Sequence, residues 1–272
     1  MESAAKNGHL DIMEWLHANN YAQRLYRCTM NDAAGGGHLP VVEWMCTNHS
    51  LHTPEGIHRS ITSEALDYAA GGGHVNVMKW LHANTSCSNH DQGTEGDEAE
   101  TKSVNAMVLA AGNGHLAAVE WLHKSRLEGR DMDERAMDLA ALGGHLSVIE
   151  WLHANRQEGC SMYATEFAVQ RGHLPIVEWI HRNKKKLDYS CEALRRAATH
   201  GYLSLFKWLA ANDSAQLEVK MRYNEHQDGT LTGRFFSVPS VPHAAMDMQN
   251  CHLPVIEWAL AHVLSAIVTR YY

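Results

Sequence analysis

Apolar residues recur along this chain at the spacing of one helical face. Leu174, Val177, Trp179 and Ile180 illustrate it, and such spacing predicts an amphipathic helix. A glycine stands just before each such stretch: Gly8, Gly37, Gly73, Gly114, Gly144, Gly172 and Gly201. Upstream of each glycine lies a shorter pattern with paired small residues, as at Ala140-Ala141, which predicts a helix of about ten residues such as Glu134 to Leu142. The glycine fits a left-handed stop and turn between the two helices. Ser161, and in the same slot Thr62, Ser103, Asp133 and Ser190, are placed to cap the first helix with a side-chain oxygen. Pro40, Pro175 and Pro254 fall in the first turn of the second helix, where a missing N–H costs nothing. Asn19, Asn48, Asn84, Asn155, Asn183 and Asn212 are read as left-handed exit residues.

The unit is therefore helix, tight turn, helix, loop, and it repeats. All eight tryptophans occupy one slot of the phrase A-A-x-x-G-H-L-x-V-V-E-W-L-H-x-N. They are Trp15, Trp44, Trp80, Trp121, Trp151, Trp179, Trp208 and Trp258, separated by 29, 36, 41, 30, 28, 29 and 50 residues. A period near thirty marks a stacked-repeat architecture. One unit cannot bury its apolar face alone, so neighbours must stack. The tryptophans, at helical spacing beside Val and Leu, are expected to be structural core rather than a ligand box.

The phrase resembles the ankyrin repeat. A-A-x-x-G-H-L-x-V-V-x-x-L is the second half of that family's consensus and is matched at Ala69 to Leu81 and Ala110 to Leu122. The resemblance covers nearly the whole chain. The T-P-L-H opening of the family is replaced by Ser/Thr/Asp-x-x-Ala-Leu/Met, Trp takes a position that is usually Leu, and several spacings fall short of the family's period. The expected fold is all-α: an α-solenoid of about eight ankyrin-like helix-turn-helix repeats with β-hairpin fingers reduced or absent. The expected domain is a single solenoid over 1–272. Its repeats lie near 1–20, 26–50, 62–84, 103–125, 133–155, 161–183, 190–212 and 243–272, with insert loops at 85–102 and 213–242.

Composition agrees with a soluble protein: 45% hydrophobic, 20% charged and a net charge of -8. That charge argues against a general nucleic-acid binder. Cys28, Cys46, Cys87, Cys160, Cys191 and Cys251 have no paired spacing and read as free thiols of a reducing compartment, so an intracellular location, cytoplasmic or nuclear, is expected. No secretory signal opens the chain. The longest apolar run, Trp258 to Val268, is far short of the ~20 residues a membrane helix needs. Charge is uneven, net -7 over 85–150 and net +5 over 170–222.

Twenty histidines invite a metal reading. Seven follow the turn glycine or its equivalent (His9, His38, His74, His115, His145, His173, His252), where the resemblance implies a structural tie between turns. Five stand two past the tryptophan (His17, His82, His123, His153, His181), placed to cap helix-end carbonyls. Glu14/His17, Glu120/His123, Glu150/His153 and Glu178/His181 read E-x-x-H, half of a di-iron motif. Helices stacked side by side do not converge as such a site requires, so neither metal nor cofactor is expected. Gly35-Gly36-Gly37 and Gly71-Gly72-Gly73 lack the lysine and strand context of a phosphate loop.

The expected function is binding of another protein without catalysis. The alternative is a targeting or substrate-recruiting arm of a larger enzyme or ligase complex of which this chain would be a fragment. The resemblance implies contacts from loop tips and from the two residues before the turn glycine: Leu142 and Gly143, Gln170 and Arg171, Thr199 and His200. Loop positions add Arg130, Arg156, Lys184, Lys185 and Lys186. With Arg171, Arg195 and Arg196, these lysines bias repeats five to seven towards an acidic protein segment. A monomer is expected, with self-association through the truncated first repeat as the exception the pattern allows.

Overall fold

A computed structural model of the chain describes residues 1–19, 21, 27–48, 52–53, 56–57, 59–86, 105–125, 134–157, 159–184, 187, 189–212 and 254. The chain divides into two units, Met1–Gly159 and Cys160–Tyr272. The first holds α1 (Glu2–Lys6), α2 (Leu10–Ala18), α3 (Arg27–Gly35), α4 (Leu39–Asn48), β1 (His52–Thr53), β2 (Gly56–Ile57), α5 (Arg59–Gly71), α6 (Val75–Ser86), α7 (Ala106–Gly112), α8 (Leu116–Lys124), α9 (Arg135–Gly143) and α10 (Leu146–Asn155). The second holds α11 (Met162–Arg171), α12 (Leu174–Lys184), α13 (Cys191–Thr199) and α14 (Leu203–Asn212). The fold is all-helical in architecture, a stack of helix pairs within each unit. One finger survives as a two-stranded antiparallel hairpin, β1 pairing β2 with His52 opposite Ile57. The second insert and the eighth repeat with Trp258 lie outside the described residues, Pro254 apart, as does the first insert beyond Ser86.

The repeated phrase can be read directly as hydrogen bonds. In A-A-x-x-G-H the histidine N–H donates to the first alanine's carbonyl and the glycine N–H to the second's. His115 to Ala110 is 2.8 Å and Gly114 to Ala111 is 3.1 Å. This pair of bonds is the Schellman stop, which satisfies carbonyls that the helix end leaves open. It recurs from His9 to Tyr202, and every turn glycine has φ between 73° and 83°. The paired alanines are also the contact surface. Ala33, Ala34, Ala69, Ala70, Ala110, Ala111, Ala140 and Ala141 are fully buried, because only a methyl group lets neighbouring first helices approach this closely. The second helices supply bulk at i, i+1, i+4: Val41, Val42 and Met45; Val148, Ile149 and Leu152; Leu205, Phe206 and Leu209.

Several local expectations need correction. The asparagines do not leave the helix left-handed: Asn19 has φ -95°. Each instead donates its side-chain N–H to the carbonyl of the tryptophan four residues back, at 2.8 Å for Asn19, Asn84 and Asn183 and 2.9 Å for Asn155 and Asn212. The amide reaches a helix-end carbonyl without any change of backbone hand. Thr62 does not cap α5, which already begins at Arg59, directly after the hairpin. Ser161 and Ser190 do cap, accepting from Tyr163 N–H at 2.9 Å and Ala193 N–H at 3.1 Å; Ser103 and Asp133 lie outside the described residues.

The tryptophan ladder is the third correction. Trp179 is buried at 7% exposure, but Trp44, Trp80, Trp121, Trp151 and Trp208 are only half-buried and Trp15 is 60% exposed. Each sits one residue before the fully inward leucine-type position, at the margin of the core. Four of them are covered by the histidine of the preceding repeat. His17 meets Trp44, His82 meets Trp121, His123 meets Trp151 and His181 meets Trp208, edge to face at 5.3–5.8 Å. These imidazoles, expected to cap carbonyls, instead staple successive second helices.

Candidate interaction surface

The first helices face outward with residues five and two positions before the turn glycine, and these two positions are coupled across repeats. The side chain at minus five lies across the residue at minus two of the repeat before. Tyr68 covers Gly35, Leu109 covers Gly71 and Leu139 covers Gly112; a methyl group placed on Gly35 or Gly71 would lie in van der Waals range of the covering Cβ atom, and one on Gly112 closer still. Asn113 Nδ2 adds a bond to the Gly71 carbonyl at 2.7 Å. In the second unit the same pair is polar: Gln170, its amide oxygen turned to α13, accepts from the Arg196 guanidinium. The face is thus apolar over glycine in the first unit and amide–guanidinium in the second.

The turn edge beside it is built from rings. His38 lies over Gly8, His74 over Gly37, His115 over Gly73 and His145 over Gly114, so closely that a methyl group on any of these glycines would overlap the ring. His38 Nε2 also donates to the Lys6 carbonyl at 3.0 Å. Tyr202 takes the histidine's place over Gly172 and is stacked by His200 at 5.7 Å. The structural role that the resemblance implied for these histidines is the geometry seen.

A second cross-repeat device sits one residue away, at minus six. Asp67 accepts from the backbone N–H groups of Asn105 and Ala106 at the start of α7. Glu166 accepts from the N–H and hydroxyl of Ser190 at the start of α13. Asn31 donates to Glu64 on α5 at 3.0 Å. α5, α7 and α13 thereby receive polar contacts from the preceding first helix. Burial pushes the Asp67 carboxyl up to about 6, against the two backbone bonds that lower it and with Glu64 adding to the rise. Burial likewise raises the Cys46 thiol to about 11.

The basic residues expected to form one face separate into two places. Arg171 is exposed at the turn end of α11, and Arg195, Arg196 and His200 are exposed on α13 and its turn, with Thr199 half-buried between them. Lys184 is exposed at the far end of α12, where its Nζ donates to the Cys160 carbonyl. The ten-residue run of α12 puts it about 15 Å from the turn. Lys185, Lys186 and Arg130 lie outside the described residues. Leu142 and Arg156 are half-buried in the first unit. Sequence reasoning missed Tyr68, Leu109 and Phe167, although their fixed offset of five before the turn glycine was a usable signal, and it missed Tyr163, which does not share that offset.

Among the described residues no three His, Cys, Asp or Glu side chains gather as a metal site. No helix there is long and apolar enough to cross a membrane. Residues 66–166 match the family model for ankyrin repeats, in three copies. No curated protein matches the chain.

Proposed function

We propose, from the match of residues 66–166 to ankyrin repeats, that this chain works as a binding module. A segment of another protein would be held along the outward face of its first helices and turns, with no chemistry of its own. Ankyrin repeats generally mediate protein–protein interaction. The observation that carries the reading is the exposure of apolar side chains on this face: Tyr68 is 51% exposed beside Leu109, both held over glycine. The cross-repeat pairing fixes their positions, so little side-chain freedom remains to be lost on binding. Of the positions expected from the sequence, Gln170, Arg171, Arg195, Arg196, Thr199 and His200 belong to this face in the second unit, and Leu142 in the first. Lys184 and Arg156 fall away from it.

The test is affinity capture from the source cell with three baits: wild type, Tyr68→Asp with Leu109→Asp, and a control Lys79→Glu on the exposed side of a second helix. Proteins held by wild type and by the control should be lost from the face variant. Equal recovery on all three baits would sink the reading.

A further inference from the structure

We infer that the side of α2 bearing Ile12, Trp15 and Leu16 is a pairing surface for the same side of α2 in a second copy of this chain. It belongs to a second helix and is distinct from the first-helix face described above.

One slot of the repeat phrase carries the contrast. Val41, Val77, Ala118, Val148, Ile176 and Leu205 occupy it at no more than 1% exposure, whereas Ile12 is 45% exposed. One turn later Leu16 is half-buried, where Met45, Leu122 and Leu152 are closed off from solvent. Second helices pack side by side, α2 on α4, α4 on α6, α6 on α8 and α8 on α10. On α2 the positions that elsewhere lie closed within this stack are presented to solvent. Ile12, Trp15, Leu16 and Asn19 lie together at helical spacing. His17, on the other side, meets Trp44 of α4.

The surface is also preformed. Trp15 is 60% exposed and Tyr21 66% exposed, and their rings stack at 6.0 Å with 12° between the planes. The Tyr21 N–H donates to the Leu16 carbonyl at 2.9 Å, and the Asn19 amide donates to the Trp15 carbonyl at 2.8 Å. Three large exposed apolar side chains on so short a stretch make a patch of the kind that marks an interaction site.

In the rest of the stack a neighbouring second helix fills this slot, so the matching occupant is a helix with an uncovered apolar side. Among the described residues no other second helix exposes a large apolar side chain. The match for α2 is therefore α2 of a second copy. The same patch on both partners gives two-fold pairing, with the two helices antiparallel. An axis near Trp15 puts the two indoles at the centre, where interface energy concentrates. Asp11 is exposed at the border of the stripe. The two Asp11 residues then fall on opposite sides of the axis, about 12 Å apart along the helix, so pairing does not bring them together. Each copy carries a net charge of -8, so added salt should tighten the pair rather than loosen it.

Sedimentation velocity of the full chain, from micromolar to sub-millimolar concentration, tests this. Wild type should pass from monomer to dimer, and salt should favour the dimer. Ile12→Glu with Trp15→Glu should weaken pairing at least about tenfold. Met162→Glu with Tyr163→Glu, at two exposed apolar residues of α11, should pair as wild type does. Labelled Ile12→Glu, Trp15→Glu chain mixed with unlabelled wild type should form no mixed pairs, because each partner must bring the patch. Circular dichroism checks that every variant is folded; should the α2 double variant unfold, Ile12→Ser and Tyr21→Ser carry the comparison. Wild type that stays monomeric throughout, or pairing that survives the α2 substitutions, overturns the inference. Mixed pairs overturn it in favour of a head-to-tail contact with another surface. Loss of pairing in Met162→Glu with Tyr163→Glu overturns it in favour of α11.

Discussion

The turn glycine meets two demands at once. At Gly73 the backbone is left-handed, φ 74°, and the His115 ring of the next repeat occupies the space a side chain would need. An alanine there must adopt a disfavoured hand, at a cost of about 1–2 kcal/mol, and must displace a packed ring, at about 1–3 kcal/mol. Gly73→Ala is expected to lose about 3 kcal/mol in a urea melt. A loss under about 1 kcal/mol would mean that the ring swings away freely. Cys46 makes a different single-residue test. Buried, and with its thiol raised to about 11, it stays protonated at neutral pH, and the thiolate is the reactive form. It should resist iodoacetamide in the native protein and react promptly in denaturant; equal rates would place it in contact with solvent.

At the scale of the helix, α7 and α13 lean on the preceding first helix for their polar start. Asp67 does this for α7 at a cost to itself. Its folded pKa, about 6, lies above the ordinary value of 3.8, so the native state binds its proton first. As pH falls from 7 this group should add stability, beginning near pH 6 and levelling off below about pH 4, by about 1–2 kcal/mol once solvent screening of the half-buried carboxyl is counted. Asp67→Asn should remove that gain and be the more stable protein at pH 7. If wild type and Asp67→Asn show parallel stability between pH 7 and 4.5, the buried carboxylate is not the cause. The second helices offer a comparison of neighbours. Leu152 is fully buried and Trp151 half-buried beneath His123. Leu152→Ala is expected to cost about 3 kcal/mol and Trp151→Ala about 2 kcal/mol; the reverse order would restore the tryptophan to the core.

Those two helices also show what the sequence made legible. Helix pairs, turns and the left-handed glycine follow from residues close together in the chain, and the period of the phrase carries the stacking. The Asp67 bond to α7, the His123–Trp151 contact and the Gln170–Arg196 link join residues 26 or more positions apart, and no local pattern names their partners. Periodicity gave the tryptophan the right side of the helix. It could not tell the centre of that side from its margin, which packing by the adjacent repeat decides. The candidate surface was legible as positions beside the turn glycine, while the split of the basic residues required the antiparallel course of α11 and α12.

At the scale of many repeats, a unit that uses the same histidine-over-glycine joint at Gly8, Gly37, Gly73 and Gly114 should tolerate the loss of a period. Deleting residues 115–144 joins Gly114 to His145 and restores the phrase A-A-G-N-G-H-L-S-V-I-E-W across the cut. The second helix that follows α7 is then α10, which brings Val148, Ile149 and Leu152 where α8 had Ala118, Val119 and Leu122. The shortened protein should fold cooperatively, with less helix and a lower melting point, because stability passes between neighbours. An insoluble or unfolded product would mean that the joints are not equivalent.

The pairing of minus five with the preceding minus two changes how such a surface acquires a new specificity. Tyr68 lies flat because Gly35 has no side chain beneath it, and Arg196 is aimed because Gln170 holds it. The heritable unit of recognition is therefore a couple that straddles a joint. Libraries that randomise one repeat at a time would mostly sample couples broken on one side; diversifying both members together keeps every variant within reach of a packed face.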